Sequence, residues 1–371
     1  MKKTRIIYLV VSVLMMSVLL SGCQKSESQS TETDTLKIVL ILNGTLGDKS
    51  FFDSADNGMK LIKKKYGDKV NVKTIEMSYD NTKWEPTLLD VSEADWDIIV
   101  CGTWEFVELL QLYAPDYPDK KYIIFDSGVD YSVADLSNVY SIEYKQNEAS
   151  FVAGALAARV TTSDMPRANK EKVIGFLGGI DIPVINDFLI GYIEGAQYIE
   201  PSIKVAVSYI GSFDDSAKGK EMSLAQYSLG ADIGYNVAGQ AGLGQLDAAK
   251  DVKRYAIGVD SDQAEIFITS DPVKAKLITT SVLKRVDNSL LRAIDLHFAG
   301  KAPYGSTDVL GFEEESVGFA ENDIYKEIVP SAIREEMKII ENKIISGEII
   351  VSSALGMSTE DLNTIRNSVK P

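Results

Sequence analysis

Apolar residues in this chain gather in short continuous runs that alternate with stretches of helical period. In the first part of the chain these runs predict four strands, at residues 36–42, 70–77, 97–101 and 122–125. Runs without polar alternation are typical of parallel strands that are buried on both faces. Helical stretches such as 54–66 and 106–113 separate them, and this order predicts a parallel sheet with right-handed crossovers.

The same pattern returns farther along the chain. Strands are predicted at residues 173–177, 205–210, 231–237 and 255–259, with helices between them at 188–199, 218–229 and 242–250. A run at 276–284, rich in Ile, Thr and Val, leads into a predicted helix at 286–298, and the spacing of apolar residues over 333–344 predicts another. The two series predict an α/β protein with two similar Rossmann-like lobes.

Each series contains a buried strand that runs directly into an aspartate. Asp126 follows the apolar run at 122–125, and Asp260 follows the run at 255–259. In open α/β sheets, ligands bind beyond the carboxyl ends of the strands. We therefore expect the two lobes to face one cleft with these carboxylates in it, although Asp126, before Ser127 and Gly128, also suits a simple turn.

The N-terminus has the layout of a secretory signal, with a basic start and an apolar run over residues 6–20 that is short for a transmembrane helix. Residues 1–22 end in Leu-Ser-Gly before Cys23, which resembles the lipobox of bacterial lipoproteins. The resemblance implies that Cys23 is lipidated and anchors the protein to the membrane. Residues 23–35 are polar and predict a flexible tether.

The amino-acid composition argues against several classes of function. The net charge is −16, and loss of the three basic residues in the signal segment makes it −19, which argues against binding nucleic acid. His297 is the single histidine, and Cys101 is the one cysteine besides Cys23, so neither a zinc cluster nor a Ser-His-Asp triad is expected. Phosphate-binding P-loop and dinucleotide-binding glycine motifs are also missing. We expect no cofactor, no metal and no enzymatic activity.

An ordered set of motifs resembles the basic membrane protein family of bacterial lipoproteins, the purine nucleoside receptor type of ABC transporter substrate-binding protein. The motifs are GDKSF at 47–51, EYKQNEA at 143–149, GGIDIPVI at 178–185, YIGSF at 209–213, VAG at 237–239, GVDSDQ at 258–263 and KRVD at 284–287. They extend over most of the chain from about residue 36 to residue 320.

This resemblance implies a type I periplasmic-binding-protein fold, whose two lobes are joined by a three-strand hinge. The N-terminal lobe would comprise residues 36–146 and 282–302, the C-terminal lobe 147–281 and 303–356, and a tail 357–371. The chain would then cross between lobes near Tyr144, Ser281 and Pro303, and the lobes would close on a ligand by hinge motion.

The resemblance also implies ligand-binding roles for particular residues. Phe51 and Tyr235 would stack on a base from opposite lobes, unless they pack in the core. Asp260 and Lys284 would hold the ribose, unless they form an ion pair between the lobes. The remaining candidates are Asp48 in the GDKSF motif, Asp126, Asn147, Gly239 and Gln240. Asn147 also suits a helix N-cap, and Gly239 with Gln240 suits a tight turn.

Two positions depart from the family pattern. Phe52 stands where members commonly have Asn, and Asn43 stands where many have an Asp that contacts the base. An amide both donates and accepts hydrogen bonds, whereas an ionised carboxylate only accepts. Asn43 alone therefore predicts a broader base preference, with adenosine or a pyrimidine nucleoside bound within about tenfold of guanosine.

The resulting functional hypothesis is a monomeric, lipid-anchored protein on the extracytoplasmic face of the cell membrane. It would capture a purine or pyrimidine nucleoside in its cleft and deliver it to an ABC transporter permease. Alternatives are a sugar-binding or autoinducer-binding protein, or a sensor, of the same fold. An extracytoplasmic nucleoside hydrolase is a further alternative, which the lone His297 and the lack of an Asp-rich metal motif disfavour.

Overall fold

The computed structural model describes residues 35–371, which form one compact unit from residue 36 onward. The predicted signal segment and Cys23 lie outside the described residues, as does nearly all of the tether. In chain order the strands are β1 (Leu36–Leu42), β2 (Val70–Glu76), β3 (Ile98–Gly102), β4 (Lys121–Phe125), β5 (Val139–Tyr144), β6 (Val173–Gly178), β7 (Lys204–Tyr209), β8 (Ala231–Val237), β9 (Tyr255–Asp260), β10 (Ile278–Lys284), β11 (Ser306–Leu310) and β12 (Val317–Phe319).

Helices alternate with these strands over most of the chain. They are α1 (Phe51–Tyr66), α2 (Trp84–Glu93), α3 (Val107–Tyr113), α4 (Gln146–Thr161), α5 (Pro183–Ile199), α6 (Ser216–Ser228), α7 (Leu243–Val252), α8 (Gln263–Phe267), α9 (Pro272–Ala275), α10 (Val286–Phe298), α11 (Asp323–Ile328), α12 (Ser331–Ile345) and α13 (Thr359–Ser368). Within residues 35–371, no helix has the length and apolar character needed to cross a membrane.

The strands form two six-stranded sheets. The first has the order β11-β5-β4-β3-β1-β2 and is parallel throughout. The second has the order β12-β10-β9-β8-β6-β7 and is parallel except for β12, which pairs antiparallel with β10. Strands β3 and β8 are buried at every residue, as expected for strands covered on both faces. The predicted two-lobed α/β architecture is confirmed.

Helices α4 and α5 cover one face of the second sheet and lie unusually close together. A Cβ atom added at Gly195 would stand 1.8 Å from the carbonyl oxygen of Phe151, and one at Gly154 would stand 2.0 Å from that of Tyr192. Only glycine fits at these positions, because any side chain would overlap the facing backbone. This close contact fixes how α4 and α5 pack against the second sheet. Strands β8 and β9 of that sheet end at the cleft.

The chain passes between the lobes three times, the first time beside Tyr144 as predicted and the other two times farther along the chain than predicted. The first passage is at Lys145, whose N–H donates to Leu310 O at 2.9 Å, and the second is at Arg285, whose N–H donates to Ser316 O at 2.8 Å. Since β10 remains paired in the second sheet as far as Leu283, the passage expected near Ser281 occurs later. The third passage was expected near Pro303, but β11 pairs with β5 in the first sheet, so it falls between β11 and β12.

The C-terminal residues are part of the second lobe rather than a separate tail. Helix α13 is followed by Val369, which is fully buried and accepts a hydrogen bond from Val205 N at 2.8 Å. Arg366 forms an ion pair with Asp181 at 2.6 Å. These contacts tie the end of the chain to β7 and to the turn after β6.

Candidate functional site

The carboxyl ends of both sheets face one cavity of about 280 Å³. From the first lobe it receives Asn43 after β1, the turn at Trp104–Phe106 after β3, and Asp126 after β4. From the second lobe it receives Asp260 at the end of β9 and Lys284 at the end of β10. The cleft therefore lies where parallel sheets ordinarily bind ligands.

The loop between β1 and α1 presents Phe51 to this cavity. Asp48 organises the loop, because its carboxylate accepts hydrogen bonds from the N–H groups of Ser50 at 3.0 Å, Phe52 at 2.8 Å and Asp53 at 3.1 Å. Burial raises the pKa of Asp48 to about 6, and those backbone donors oppose the rise. Asp48 also lines the cavity, but its oxygens are engaged at the start of α1.

Lys284 is held in a buried cage at one end of the cleft. Its Nζ lies 2.5 Å from Asp126 Oδ1, and both side chains are almost fully buried. The same Nζ lies 4.7 Å from the ring centroid of Phe188, 5.6 Å from that of Tyr144 and 5.7 Å from that of Phe51. Burial raises the pKa of Asp126, and the Lys284 ammonium opposes the rise. The cage holds the ammonium against the cleft wall and contributes cation–π attraction.

Asp260 connects the two lobes beside this cage. Its Oδ2 accepts a hydrogen bond from Ser50 Oγ at 2.5 Å, and Ser261 Oγ donates to Ser50 O at 3.1 Å. Burial raises the pKa of Asp260 to about 7; the charges of Asp48 and Asp126 add to the rise, and that of Lys284 opposes it. Asp260 is thus a buried carboxyl group within reach of a ligand and already bonded across the cleft.

Three non-glycine residues at strand ends have left-handed backbones in this cavity. The φ angles are +75° at Thr103, +67° at Asp126 and +61° at Asp260. Aspartate tolerates this conformation better than most residues, whereas threonine is β-branched and strained there. Such strain persists where the surrounding structure imposes it and is common at ligand-binding positions.

A second group of polar side chains lies at the ends of β1, β2 and β3. Asn43 is 4% exposed, and its Nδ2 donates to Thr103 Oγ1 at 2.8 Å. Three buried atoms lining the cavity have no hydrogen-bond partner within residues 35–371: Asn43 Oδ1, Glu105 Oε2 and Tyr79 Oη. Burial raises the pKa of both Glu105 and Tyr79, and Thr103 and Asn43 lower that of Glu105 only in part.

Aromatic side chains reach the cavity from both lobes. The first lobe contributes Phe51, whose ring centroid lies 5.5 Å from that of Phe125, and the second contributes Phe188 and Phe213. Trp104 lies at the mouth and is 52% exposed. Phe52 also lines the cavity, but it packs against the β1–α1 loop and is nearly buried.

Tyr235 does not reach the cavity, so the stacking position inferred for it was wrong. Its ring is fully buried, with centroids 5.1 Å from Tyr192 and 5.6 Å from Phe176, and its hydroxyl lies 3.1 Å from Ser150 Oγ. The side chain points from β8 toward α4 and α5 and packs in the core. The second-lobe rings that line the cavity instead are Phe188, on α5, and Phe213, after β7.

Asn147 and Gln240 also lie outside the residues that line the cavity, whereas Gly239 is among them. Asn147 Nδ2 donates to Val351 O at 3.3 Å and to Ser352 O at 3.1 Å, so this side chain ties α4 to the C-terminal segment. Gly239 opens the turn Gly239–Gly242 with a φ of +53°, which places its backbone against Phe213. The geometry gives Asn147 a structural role in place of the predicted ligand contact.

Several cavity residues were not identified from the sequence, namely Tyr79, Trp104, Glu105, Phe188 and Phe213. A usable signal existed for Glu105 and Phe213, because each follows a predicted strand by a few residues, as Asp126 does. The charged residues that line the cavity are Asp48, Glu105, Asp126, Asp214, Asp260 and Lys284. Five acidic groups against one basic group make the site unfavourable for an anionic ligand.

Comparison with known proteins identifies the family. The family described as "ABC transporter substrate-binding protein PnrA-like" matches residues 35–353. The chain belongs to this family. It is therefore an ABC transporter substrate-binding protein with two α/β lobes, as the sequence motifs predicted.

Individual relatives agree over nearly their whole lengths. Basic membrane protein A of Borreliella burgdorferi is 31% identical over 345 residues, covering 92% of this chain and 94% of that protein. The ABC transporter nucleoside-binding protein BmpA of Lactococcus lactis is 27% identical over 361 residues, covering 92% and 98%. Among solved structures, an ABC transporter solute-binding protein from Aeropyrum pernix superposes with a TM-score of 0.78 at 24% identity, covering 90% of this chain and 97% of that one. This last likeness concerns the fold.

Proposed function

We propose that this protein captures a nucleoside between its lobes and passes it to an ABC transporter permease. The observation that carries the proposal is the composition of one cavity, in which Phe51 and Phe213 from opposite lobes accompany the buried polar groups of Asp260 and Lys284. Flat rings suit a base, and each base–aromatic contact contributes roughly 1–3 kcal/mol. A carboxylate accepts from vicinal hydroxyls, and an ammonium donates to a hydroxyl oxygen.

The charge of the cavity supports a neutral nucleoside over a nucleotide. Among the described residues that line it, Lys284 is the one basic side chain, and its ammonium is already paired with Asp126 at 2.5 Å. A phosphate group would meet the carboxyl groups of Asp48, Asp260 or Asp214. Desolvating an unpaired anion next to carboxylates is strongly unfavourable.

The relatives support the same ligand class. The Lactococcus lactis protein is named as nucleoside-binding, and this chain aligns with 98% of its length. Family membership supports a permease as the partner, since a substrate-binding protein has no translocation pathway of its own. The polar contacts across the cleft support closure of the lobes around the ligand, with Ser50 and Asp260 on opposite sides.

Calorimetric titration with guanosine, inosine, adenosine, cytidine, uridine, guanosine 5′-monophosphate, free ribose and free guanine tests the ligand class. We expect at least one nucleoside to bind at least about 100-fold more tightly than its monophosphate or free ribose, a gap of about 2.7 kcal/mol. Binding of sugars with no response to nucleosides would contradict the proposal. Release of free base on incubation with inosine would instead favour a hydrolase.

We further propose that the mature protein is anchored through a lipid on Cys23 at the extracytoplasmic face of the membrane. The support is the apolar segment before Leu-Ser-Gly-Cys and the polar stretch after it. Several buried acyl chains give stable anchoring where one is marginal. Cys23→Ala should leave the precursor uncleaved or release the protein from membranes, with Cys101→Ala as the matched control. A processed Cys23→Ala protein that stays with the membrane fraction like wild type would refute lipidation at this residue.

A further inference from the structure

The unpartnered polar atoms of the cavity are gathered on one lobe. Asn43 Oδ1, Glu105 Oε2 and Tyr79 Oη are buried without a partner in the described part of the chain and line the cleft. They follow β1, β3 and β2, which are adjacent in the order β3-β1-β2. Buried polar atoms are ordinarily paired, and leaving one unpaired is costly. Three of them at neighbouring strand ends indicate a place where a ligand supplies the partners.

The local hydrogen bonds decide which atom of Asn43 is open. Its Nδ2 donates to Thr103 Oγ1 at 2.8 Å, and that hydroxyl donates in turn to Gly102 O at 2.5 Å. Turning the amide over would set its oxygen against a hydroxyl whose proton is already used. The network therefore leaves Asn43 Oδ1 as an acceptor facing the cavity.

Glu105 stands beside this acceptor on a rigid turn. The turn Trp104–Phe106 follows β3, and Phe106 is fully buried, which anchors it. The carboxyl group of Glu105 faces Thr103 and Asn43 and has Asp126 as a charged neighbour. Side-chain hydrogen bonds from Thr103 and Asn43 reach this carboxyl group, but its Oε2 has no partner within the described residues.

We infer that Asn43 Oδ1 and the Glu105 carboxylate form a pair of hydrogen-bond acceptors that selects a nucleobase with two adjacent N–H donors. This inference rests on the proposed nucleoside function and specifies the base. Guanine presents such an edge in N1–H and its 2-amino group, while Tyr79 supplies a hydroxyl donor for an oxygen or nitrogen of the base. Adenine and cytosine each present one donor next to one acceptor, which leaves one protein acceptor unpaired.

Glu105 changes the base preference that Asn43 alone predicts. Considered by itself, an amide at position 43 indicates a broad specificity because it can both donate and accept hydrogen bonds. In the structure, Glu105 supplies that carboxylate from the neighbouring strand end. Guanosine is therefore favoured over adenosine and cytidine, in contrast to the broad preference.

Calorimetry of wild type, Glu105→Gln and Glu108→Gln with guanosine, 1-methylguanosine and adenosine tests the inference. Glu108 is exposed in the first turn of α3 and does not line the cavity, so Glu108→Gln removes the same charge without changing the site. We expect wild type to bind guanosine at least about tenfold more tightly than adenosine or 1-methylguanosine. Glu105→Gln should weaken guanosine at least about tenfold and adenosine less than about threefold, while Glu108→Gln changes neither.

The outcomes separate this inference from the function on which it rests. If wild type binds guanosine and adenosine equally, or if Glu105→Gln loses affinity for both equally, then Asn43 and Glu105 do not select the base. The proposed nucleoside-binding function is unaffected by either result. Failure of every nucleoside to bind wild type overturns both. Thermal unfolding of each variant shows whether it is folded, and Asn43→Ser provides a second test, because it should also reduce the preference for guanosine over adenosine.

Discussion

The two ends of the cleft differ in how their polar groups are satisfied. At one end, which we term the paired end, Ser50, Asp126, Asp260 and Lys284 bond to one another across the lobes. At the other, the open end, Asn43, Tyr79 and Glu105 each keep a buried atom without a partner in the described residues. The paired end is preorganised and joins the lobes, so it suits a part of the ligand shared by all substrates. The open end lies on one lobe and is suited to distinguish among them.

Breaking the paired end at Lys284 should have the largest effect. Lys284→Ala leaves Asp126 buried without its partner, and removing one member of a buried pair costs about 3–5 kcal/mol. We expect a fall of that size in the free energy of unfolding, measured by denaturant titration, together with loss of nucleoside binding. Lys326→Ala, which removes an exposed pair with Asp323, is the control and should change stability by less than about 1 kcal/mol.

A double variant separates the stability contributed by the Lys284–Asp126 ion pair from that contributed by packing of the lysine methylene groups. Lys284→Ala combined with Asp126→Ala removes both charges, so it should lose less stability than the sum of the two single variants. Strict additivity would show that the two groups do not interact in the folded protein. Wild-type stability of Lys284→Ala would show that the paired end is not a buried ion pair.

The sequence predicted the paired end better than the open end, and the reason is physical. Asp126 and Asp260 follow uninterrupted apolar runs, and such runs locate the carboxyl ends of buried strands. Glu105 follows a strand too, but a single glutamate in a polar turn is ordinarily a solvated side chain. Its burial becomes apparent only when β1 and β4 are seen on either side of β3.

Two wrong predictions have a related cause: the stacking role of Tyr235, and a third lobe crossing placed before β11 instead of after it. Strand β8 is buried at every residue, so no alternation of polar and apolar residues shows which side of it faces the cleft. Strand β11 differs, since Ser306–Leu310 lies at a sheet edge and only Leu310 is fully buried. Neither strand carries the periodicity that would have placed its side chains.

The second prediction tests whether the paired end binds a feature common to all nucleosides. Asp260→Ala should weaken the binding of guanosine, adenosine and cytidine alike, at least about tenfold or 1.4 kcal/mol, because it removes a buried hydrogen-bonding group. Titration calorimetry on all three measures this. A loss confined to one base would place Asp260 at the open end instead, and unchanged affinity with an unchanged melting temperature would remove it from the site.

The third prediction concerns the aromatic rings that line the cleft. Phe213→Ala should cost every nucleoside about 1–3 kcal/mol of binding free energy, because a ring face carries little information about base identity. Tyr235→Phe is the matched control in the same lobe, since that ring packs in the core and loses only its bond to Ser150. A larger loss of affinity in Tyr235→Phe than in Phe213→Ala would reverse the positions that the structure gives these two residues.

The last prediction is a pH dependence of stability that originates at the paired end. Burial raises the pKa of Asp260 from 3.8 to about 7, so between these values the folded protein holds a proton that the unfolded chain has released. This contribution to stability is complete below pH 3.8 and is lost as the pH rises through 7, with a slope of at most about 1.4 kcal/mol per pH unit.

Asp260→Asn removes the titrating group, so the free energy of unfolding of wild type relative to this variant should fall as the pH rises from 4 to 7. Taking the difference cancels the opposing slopes of exposed carboxyl groups such as Glu200, whose ion pair lowers its pKa. Urea titrations of both proteins at several pH values measure it, and a difference that stays flat over this range would mean that Asp260 is ionised in the apoprotein throughout.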